Sequence, residues 1–287
     1  MPKKIGPIES DVYGFNALAL LANSSKTFSD EMLALDFQEC TTFDANMAAP
    51  LYTALTCYHV EKVKAINIRH DIRTILKKNG FLGELGVLNA DDPDQTILPF
   101  RRFNRNAGAS FAIYLSQYMT GRGIPRMSAG LTKRFLQSLF EIFQNAAMHS
   151  NSHSGIFVCG QLSPAMHRLD FTIADAGIGI RDNVRRHFNN TINSCSAIKW
   201  ALEKGHTTRT NNQPGGLGLK LLKDFIRINQ GKIQIASRYG FHEISDMAEP
   251  FYKLDYDFPG TCVNIEINTD DARNYALKSE IKSSDIF

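Results

Sequence analysis

Apolar positions along this chain fall into runs whose spacing switches between strand and helix. An apolar run at 32–37, a helical stretch at 45–60, a second apolar run at 63–68 and a helix at 71–78 follow one another. That order predicts a small α/β unit with a βαβα pattern. Asn79-Gly80 then supplies the residue pair that a helix C-terminus favours, and the acidic, proline-containing stretch 89–95 reads as surface loop.

Further along, Leu131, Phe135, Leu139, Ile142, Phe143 and Ala146 recur at helical spacing, which predicts an amphipathic helix over 128–150 with Ser128 as its N-cap. Strand-like runs at 155–161 and 169–174 lead into a glycine turn. A polar stretch at 181–214 separates that turn from a helix at 217–229, with Gly231 expected to cap it. Runs at 232–237, 251–256 and 261–267 predict closing strands, and the charged tail from Asp270 predicts a short helix or an unstructured end. Between the halves, Arg101, Arg102, Arg105, Arg122 and Arg126 surround an apolar segment at 111–119 that predicts a connecting helix. The expected boundaries are an α/β domain at 1–105, a linker at 106–127, a second domain at 128–270 and a tail at 271–287.

Composition narrows the class without naming a function. The 287 residues suit two domains at roughly 150 residues each. A hydrophobic content of 43% with 21% charged residues is ordinary for a folded, soluble chain. The net charge of +3, from 32 basic and 29 acidic residues, is too balanced to indicate a nucleic-acid or membrane surface. Apolar runs stay well below the roughly 20 residues that span a bilayer, and the N-terminus lacks the apolar core of a secretory signal, so the cytoplasm is the expected compartment. Five widely spaced cysteines without a CxxC pair argue for reduced thiols rather than a disulfide framework or zinc site.

On the 128–150 helix, Ser138, Glu141, Asn145 and His149 lie three or four residues apart and form one polar stripe. Such a stripe alone is usually a solvated face. Two glycine motifs follow it: Asp175-Ala176-Gly177-Ile178-Gly179 at a strand end, and Gly215-Gly216-Leu217-Gly218-Leu219 at a helix start. Alone, either reads as a turn.

Together and in this order they resemble the GHKL family of ATPases and kinases, named for gyrase, a heat-shock chaperone, histidine kinases and MutL. Glu141-Ile-Phe-Gln-Asn145-Ala146 looks like the N box, Asp175 to Gly179 like the G1 box, and Gly216-Leu217-Gly218-Leu219 like the G2 box. The resemblance implies a two-layer α/β sandwich of the Bergerat type that binds ATP and Mg²⁺. An amide oxygen from Asn145 suits Mg²⁺, a hard ion that takes oxygen ligands and draws others from phosphates. Glu141, one turn earlier, is the candidate general base for a water attacking the γ-phosphate. Asp175 is placed to accept a hydrogen bond from the adenine amine, a donor guanine lacks at that position. Gly177 and Gly179 permit close backbone approach, Gly216 and Gly218 do so at a helix N-terminus that attracts phosphate, and Gly215 is the expected hinge. The 181–214 stretch reads as an ATP lid, with Thr207, Thr208 and Arg209 within reach of the γ-phosphate.

The first unit resembles a STAS domain, the fold of anti-sigma-factor antagonists, through Leu33 to Phe37, Phe43-Asp44-Ala45-Asn46 and the elements after them. The family's phosphorylated serine is Ala45 here, although Thr41 and Thr42 lie close. His70-Asp-Ile-Arg-Thr-Ile-Leu76 has the look of a histidine-kinase phosphoacceptor box, yet it starts a helix of about ten residues directly after a strand, so a surface histidine is the preferred reading. The fold class expected is thus α/β, a GHKL-type sandwich preceded by a small STAS-like domain. The expected activity is ATP hydrolysis coupled to lid closure and signalling to a protein partner, for which the STAS-like unit is the candidate contact. A serine/threonine or histidine protein kinase of a bacterial signalling or stress/defence system and a nucleotide-dependent scaffold without turnover are the alternatives. Both families often self-associate, so a homodimer fits the resemblance, but no heptad seam argues for one.

Overall fold

The computed structural model describes residues 2–27, 32–58, 60–121, 123–188, 191–203 and 217–280. It opens with a two-residue strand, β1 (Lys3–Lys4), and helix α1 (Val12–Asn23), whose N-cap Asp11 accepts the Gly14 N–H over 2.8 Å. Strand β2 (Leu33–Asp36), helix α2 (Ala48–Leu55), strand β3 (Val63–Ile66) and helix α3 (His70–Lys78) follow. The three strands pair in parallel in chain order, a pairing that requires crossover connections, here helices. The expected βαβα order is present. The β1–α1 pair before it escaped the pattern because two residues show no alternation. Gly80 takes the left-handed conformation (φ 84°) just after α3, as its place after Asn79 predicts.

A short helix α4 (Phe81–Glu84) leads to strand β4 (Ile97–Phe103), helix α5 (Gly108–Tyr118), helix α6 (Ala129–His149), and strands β5 (Ile156–Ser163) and β6 (Arg168–Asp175). Helices α7 (Gly179–Phe188), α8 (Ser194–Leu202) and α9 (Leu217–Asn229) precede the long hairpin of β7 (Lys232–Ile244) and β8 (Phe251–Asn268). Five antiparallel strands lie in the order β4-β5-β6-β8-β7. Among the described residues no helix is long and apolar enough to cross a membrane.

Side-chain alternation along these strands divides the core between the two faces of the sheet. Ile156, Val158, Phe171, Ile173, Ile233 and Ile265 pack with residues of α5, α6 and α9. Phe157, Cys159, Ala174, Ala236 and Cys262 belong to a second cluster with Phe15 and Leu18 of α1, Leu51 of α2, and Leu33 and Leu35 of β2. All eight residues of α2 are buried. A helix buried on every side needs cover on every side, and α2 packs on β5, β6 and β8 of the five-stranded sheet and beside α1, in one core cluster with Leu33, Leu35 and Val63 of the three-stranded sheet. The protein is mixed α/β, a sheet flanked by helices; the second face of that sheet is covered by α1 and α2, where a two-layer sandwich would leave it open.

Several boundaries differ from expectation. Residues 97–103, within the expected first domain, form the edge strand of the five-stranded sheet. Helix α5, within the expected linker, buries Phe111, Tyr114 and Leu115 against α6. Pro99 and the exposed Arg101 and Arg102 disguise β4 as a loop in the sequence. The runs at 251–256 and 261–267 are one strand, because Pro259-Gly260 forms an irregularity in the β7–β8 pairing, with Gly260 at φ 83°, rather than a turn. Helix α9 ends with Gln230 in the left-handed position (φ 61°), while the Gly231 N–H reaches back to the Ile226 carbonyl over 3.1 Å. Gly231 therefore occupies the second position of a Schellman motif, and its own requirement is space: a Cβ there would lie 2.1 Å from the Glu266 carbonyl oxygen.

Buried polar groups join the first unit to the sheet. The Asn46 amide donates to Asn264 over 2.8 Å and to Thr172 over 3.2 Å, and Asn264 donates onward to Gln234 over 2.9 Å. Arg168 of β6 pairs with Asp44 at 2.6 Å and with Asp170 at 2.9 Å. Asp44 and Asn46, between β2 and α2, are thus engaged by the sheet.

Candidate functional site

Helix α6 buries Leu131, Phe135, Leu139, Ile142 and Phe143 and leaves Asn145 exposed, with Glu141 and His149 partly covered. Ser138 departs from the expected polar stripe. It is buried, and its hydroxyl donates back to the Arg134 carbonyl over 2.8 Å, the local bond that lets a helix absorb a serine on its packed side. The members of the stripe that reach the surface are therefore Glu141, Asn145 and His149.

Strand β6 delivers Asp175 to the sheet end beside the C-terminus of α6. Asp175 is flanked in register by Ile156 of β5 and Thr261 of β8. Its side chain accepts the Gly177 N–H over 2.8 Å. Burial pushes its carboxyl up to about 7, against the backbone N–H groups of Gly177 and Thr261, which stabilise the charge. Beyond it, the Ile178 N–H donates to the Ser150 carbonyl over 2.7 Å and ties the loop to the end of α6.

The glycines here have intramolecular reasons to be glycine. A Cβ on Gly177 would lie 1.9 Å from the Ser150 carbonyl oxygen, and one on Gly260 would lie 2.1 Å from the Asp175 carbonyl oxygen. Gly179 opens α7 at φ 75°, where a Cβ would also meet the Arg238 side chain at 2.6 Å. The motif thus packs a loop against a helix end and a strand, in addition to any approach of a ligand.

Ser237 was not singled out in the sequence, yet it knits this end of the sheet. Fully buried, its hydroxyl accepts the Ile180 N–H and donates to the Gly260 carbonyl, each over 2.9 Å. A lone serine ending the apolar run Ile233 to Ala236 was the available signal, and it is indistinguishable from an ordinary strand terminus.

The described residues of the 181–214 stretch are largely helical. Residues 179–188 and 194–202 are the helices α7 and α8, and α8 buries Ala197 and Ile198 beside β7. Helix α7 buries only Gly179 and Val184, so its apolar periodicity is nearly silent, and α8 is signalled mainly by its N-cap, Asn193, which accepts the Ser196 N–H over 2.9 Å. Thr207, Thr208, Arg209, Gly215 and Gly216 lie outside the described residues. Leu217 and Gly218 form the first turn of α9.

Helices α6 and α9 pack side by side, with Phe135 edge-on to Phe225 at 5.4 Å. The C-terminal segment links the end of α9 to the start of α6: Arg273 donates to Ile228, and the Ser128 N–H donates to Tyr275 over 2.8 Å. The helices therefore run antiparallel. The 13 residues of α9, at about 1.5 Å each, bring its first turn roughly level with Glu141 and Asn145. Glu141, Asn145, Asp175 and the start of α9 share one end of the sheet. Among the described residues no group of three or more His, Cys, Asp or Glu is arranged to hold a metal. A cation carried in with a polyphosphate draws most of its ligands from phosphate and water, and the exposed Asn145 amide suits that arrangement. No family model matches the chain, and a search of curated proteins finds no significant match.

Proposed function

We propose that this end of the five-stranded sheet is an ATP site of GHKL type and that the protein hydrolyses ATP there. One observation carries the reading: Asp175, a buried acid at a strand end, is fixed by the Ile178 to Ser150 bond against the helix that presents Glu141 and Asn145. Gly177 and Thr261 already donate to this carboxyl, and a carboxylate has lone pairs for a further donor such as the adenine amine.

In this reading Asp175 accepts the adenine amine and selects adenine over guanine. The first turn of α9 faces the phosphates, where a helix N-terminus attracts negative charge. The Asn145 amide oxygen would hold Mg²⁺, which supplies charge neutralisation of the β- and γ-phosphates when bound. Glu141 orients a water; as its oxygen bonds to the γ-phosphorus, the bond to the β,γ-bridging oxygen breaks, the water proton passes to the Glu141 carboxylate, and ADP leaves. Nucleotide-dependent lid closure would carry a signal to a protein partner.

Incubating the protein with Mg²⁺ and γ-labelled ATP tests the chemistry. Free phosphate that disappears in Asn145→Ala and Glu141→Gln supports hydrolysis. Label retained on protein would replace it with phosphotransfer, whose first acceptors to map are the exposed Thr41, Thr42 and His70. Bound ATP without either product would leave a nucleotide-dependent scaffold.

A further inference from the structure

We infer that residues 271–280 form a strap with a fixed anchor and a releasable latch, which sets the position of α6 against α9 and thereby tunes the nucleotide site; the second half of this inference rests on the reading above. The sequence suggested a charged tail with a short helix or an unstructured end, and residues 278–280 form one 3-10 turn. In the structure the segment bridges two helix termini at the sheet end opposite Asp175.

The anchor is Asp271. Its side chain is 3% exposed, and it accepts hydrogen bonds from Asn229 at the end of α9 over 3.0 Å, from Arg273 over 2.8 Å, and from the Tyr275 hydroxyl. These donors, Arg273 foremost, hold its carboxyl well below the usual carboxylate range. Arg273 also donates to the Ile228 carbonyl, satisfying an acceptor left over at the end of α9. Tyr275 then crosses to α6: its backbone exchanges hydrogen bonds with Arg126 and Ser128, each over 2.8 Å, and its ring lies 5.1 Å from Phe225 of α9.

The latch is Glu280, on the exposed side of the strap. Its carboxylate accepts from the Ser128 hydroxyl and, over 3.1 Å, from the Gly130 N–H, while Ser128 itself accepts the Leu131 N–H over 3.1 Å. Two caps, one local and one from the far end of the chain, thus satisfy donors in the first turn of α6, and the negative charge suits a helix N-terminus. A water-exposed carboxylate in this position is easily screened or displaced, unlike the buried anchor. Helix α6 is continuous over its 21 residues, so a shift at its first turn is passed along the helix to Glu141 and Asn145 and changes their position relative to α9.

Hydrogen exchange and MgATP calorimetry on the full chain test this with Glu280→Ala and Asp271→Ala. Glu280→Ala should speed amide exchange at Gly130, Leu131 and Thr132 and weaken MgATP binding by about two- to thirty-fold, the range that loss of a helix cap spans. Asp271→Ala should speed exchange in the same turn although it bonds the α9 end, because the strap transmits its release. Unchanged exchange at α6 in Asp271→Ala would overturn the strap. Faster exchange with unaltered MgATP affinity would overturn its link to the site. Absence of MgATP binding by the wild-type chain would remove the nucleotide reading instead, and the two exchange results would still decide whether the strap exists.

Discussion

The backbone N–H of Ile178 donates to the carbonyl oxygen of Ser150 over 2.7 Å, so the loop that follows Asp175 is held by the end of the helix that carries Glu141 and Asn145. Two stretches separated by a complete β-hairpin thereby become one site. What the contact tolerates follows from the space around it.

Gly177→Ala should destabilise the fold by about 1–3 kcal/mol, the usual cost of forcing an extra methyl into a packed position. The added carbon would sit 1.9 Å from the Ser150 oxygen, so the loop must retreat from α6. Gly6→Ala, with nothing within 4 Å, is the matched control and should leave the midpoint of urea denaturation unchanged. Equal midpoints for both variants would show that the loop is not packed against Ser150 as described.

Removing Asn46 strands the polar groups it joins. In Asn46→Ala, Asn264 and Thr172 remain buried with fewer partners, which should cost about 1–3 kcal/mol. Because α1 and α2 share a core with the five-stranded sheet, near- and far-ultraviolet dichroism should report one transition in both proteins. Two separated transitions in the wild-type protein would mean that the first unit and the sheet fold independently.

The buried carboxyl of Asp175 gives stability a pH dependence of known sign. Its proton is held to about 7 in the folded chain and released near the ordinary value of 3.8 in the unfolded one. Between those values the native state binds more protons, so this contribution is complete at about pH 4, is lost as pH rises through about 7, and is constant above. Asp175→Asn has no such loss. Its stability relative to wild type should therefore be greater at about pH 8 than at about pH 5, measured by chemical denaturation. A difference that does not change with pH would mean that the acid is not buried in its neutral form.

Much of this was legible in the sequence. The apolar spacing from Leu131 to Ala146 fixed α6 and its cap, and Ser128 does accept the Leu131 N–H. The strand end at Asp175 and the helix starting at Leu217 also lie where the glycine motifs suggested. Elements whose stability comes from distant contacts were not legible. Strand β4 carries Pro99 and two consecutive exposed arginines, α7 buries only Gly179 and Val184, and the strap depends on Asp271 and Glu280 meeting helix ends far away in sequence. The covered second face of the sheet was equally hidden, since Asn46, Thr172, Asn264 and Gln234 are unremarkable until the fold brings them together.

Calorimetric titration of MgATP into the wild-type protein and into Asp175→Asn tests the central claim most directly. Saturable binding by the wild type, weakened in the variant by about 1–3 kcal/mol, or roughly five- to 150-fold, is the predicted result, because one hydrogen-bonding partner of the adenine is then imperfectly matched. No binding by the wild type, or the same affinity in both proteins, would contradict an adenine site at the end of β6.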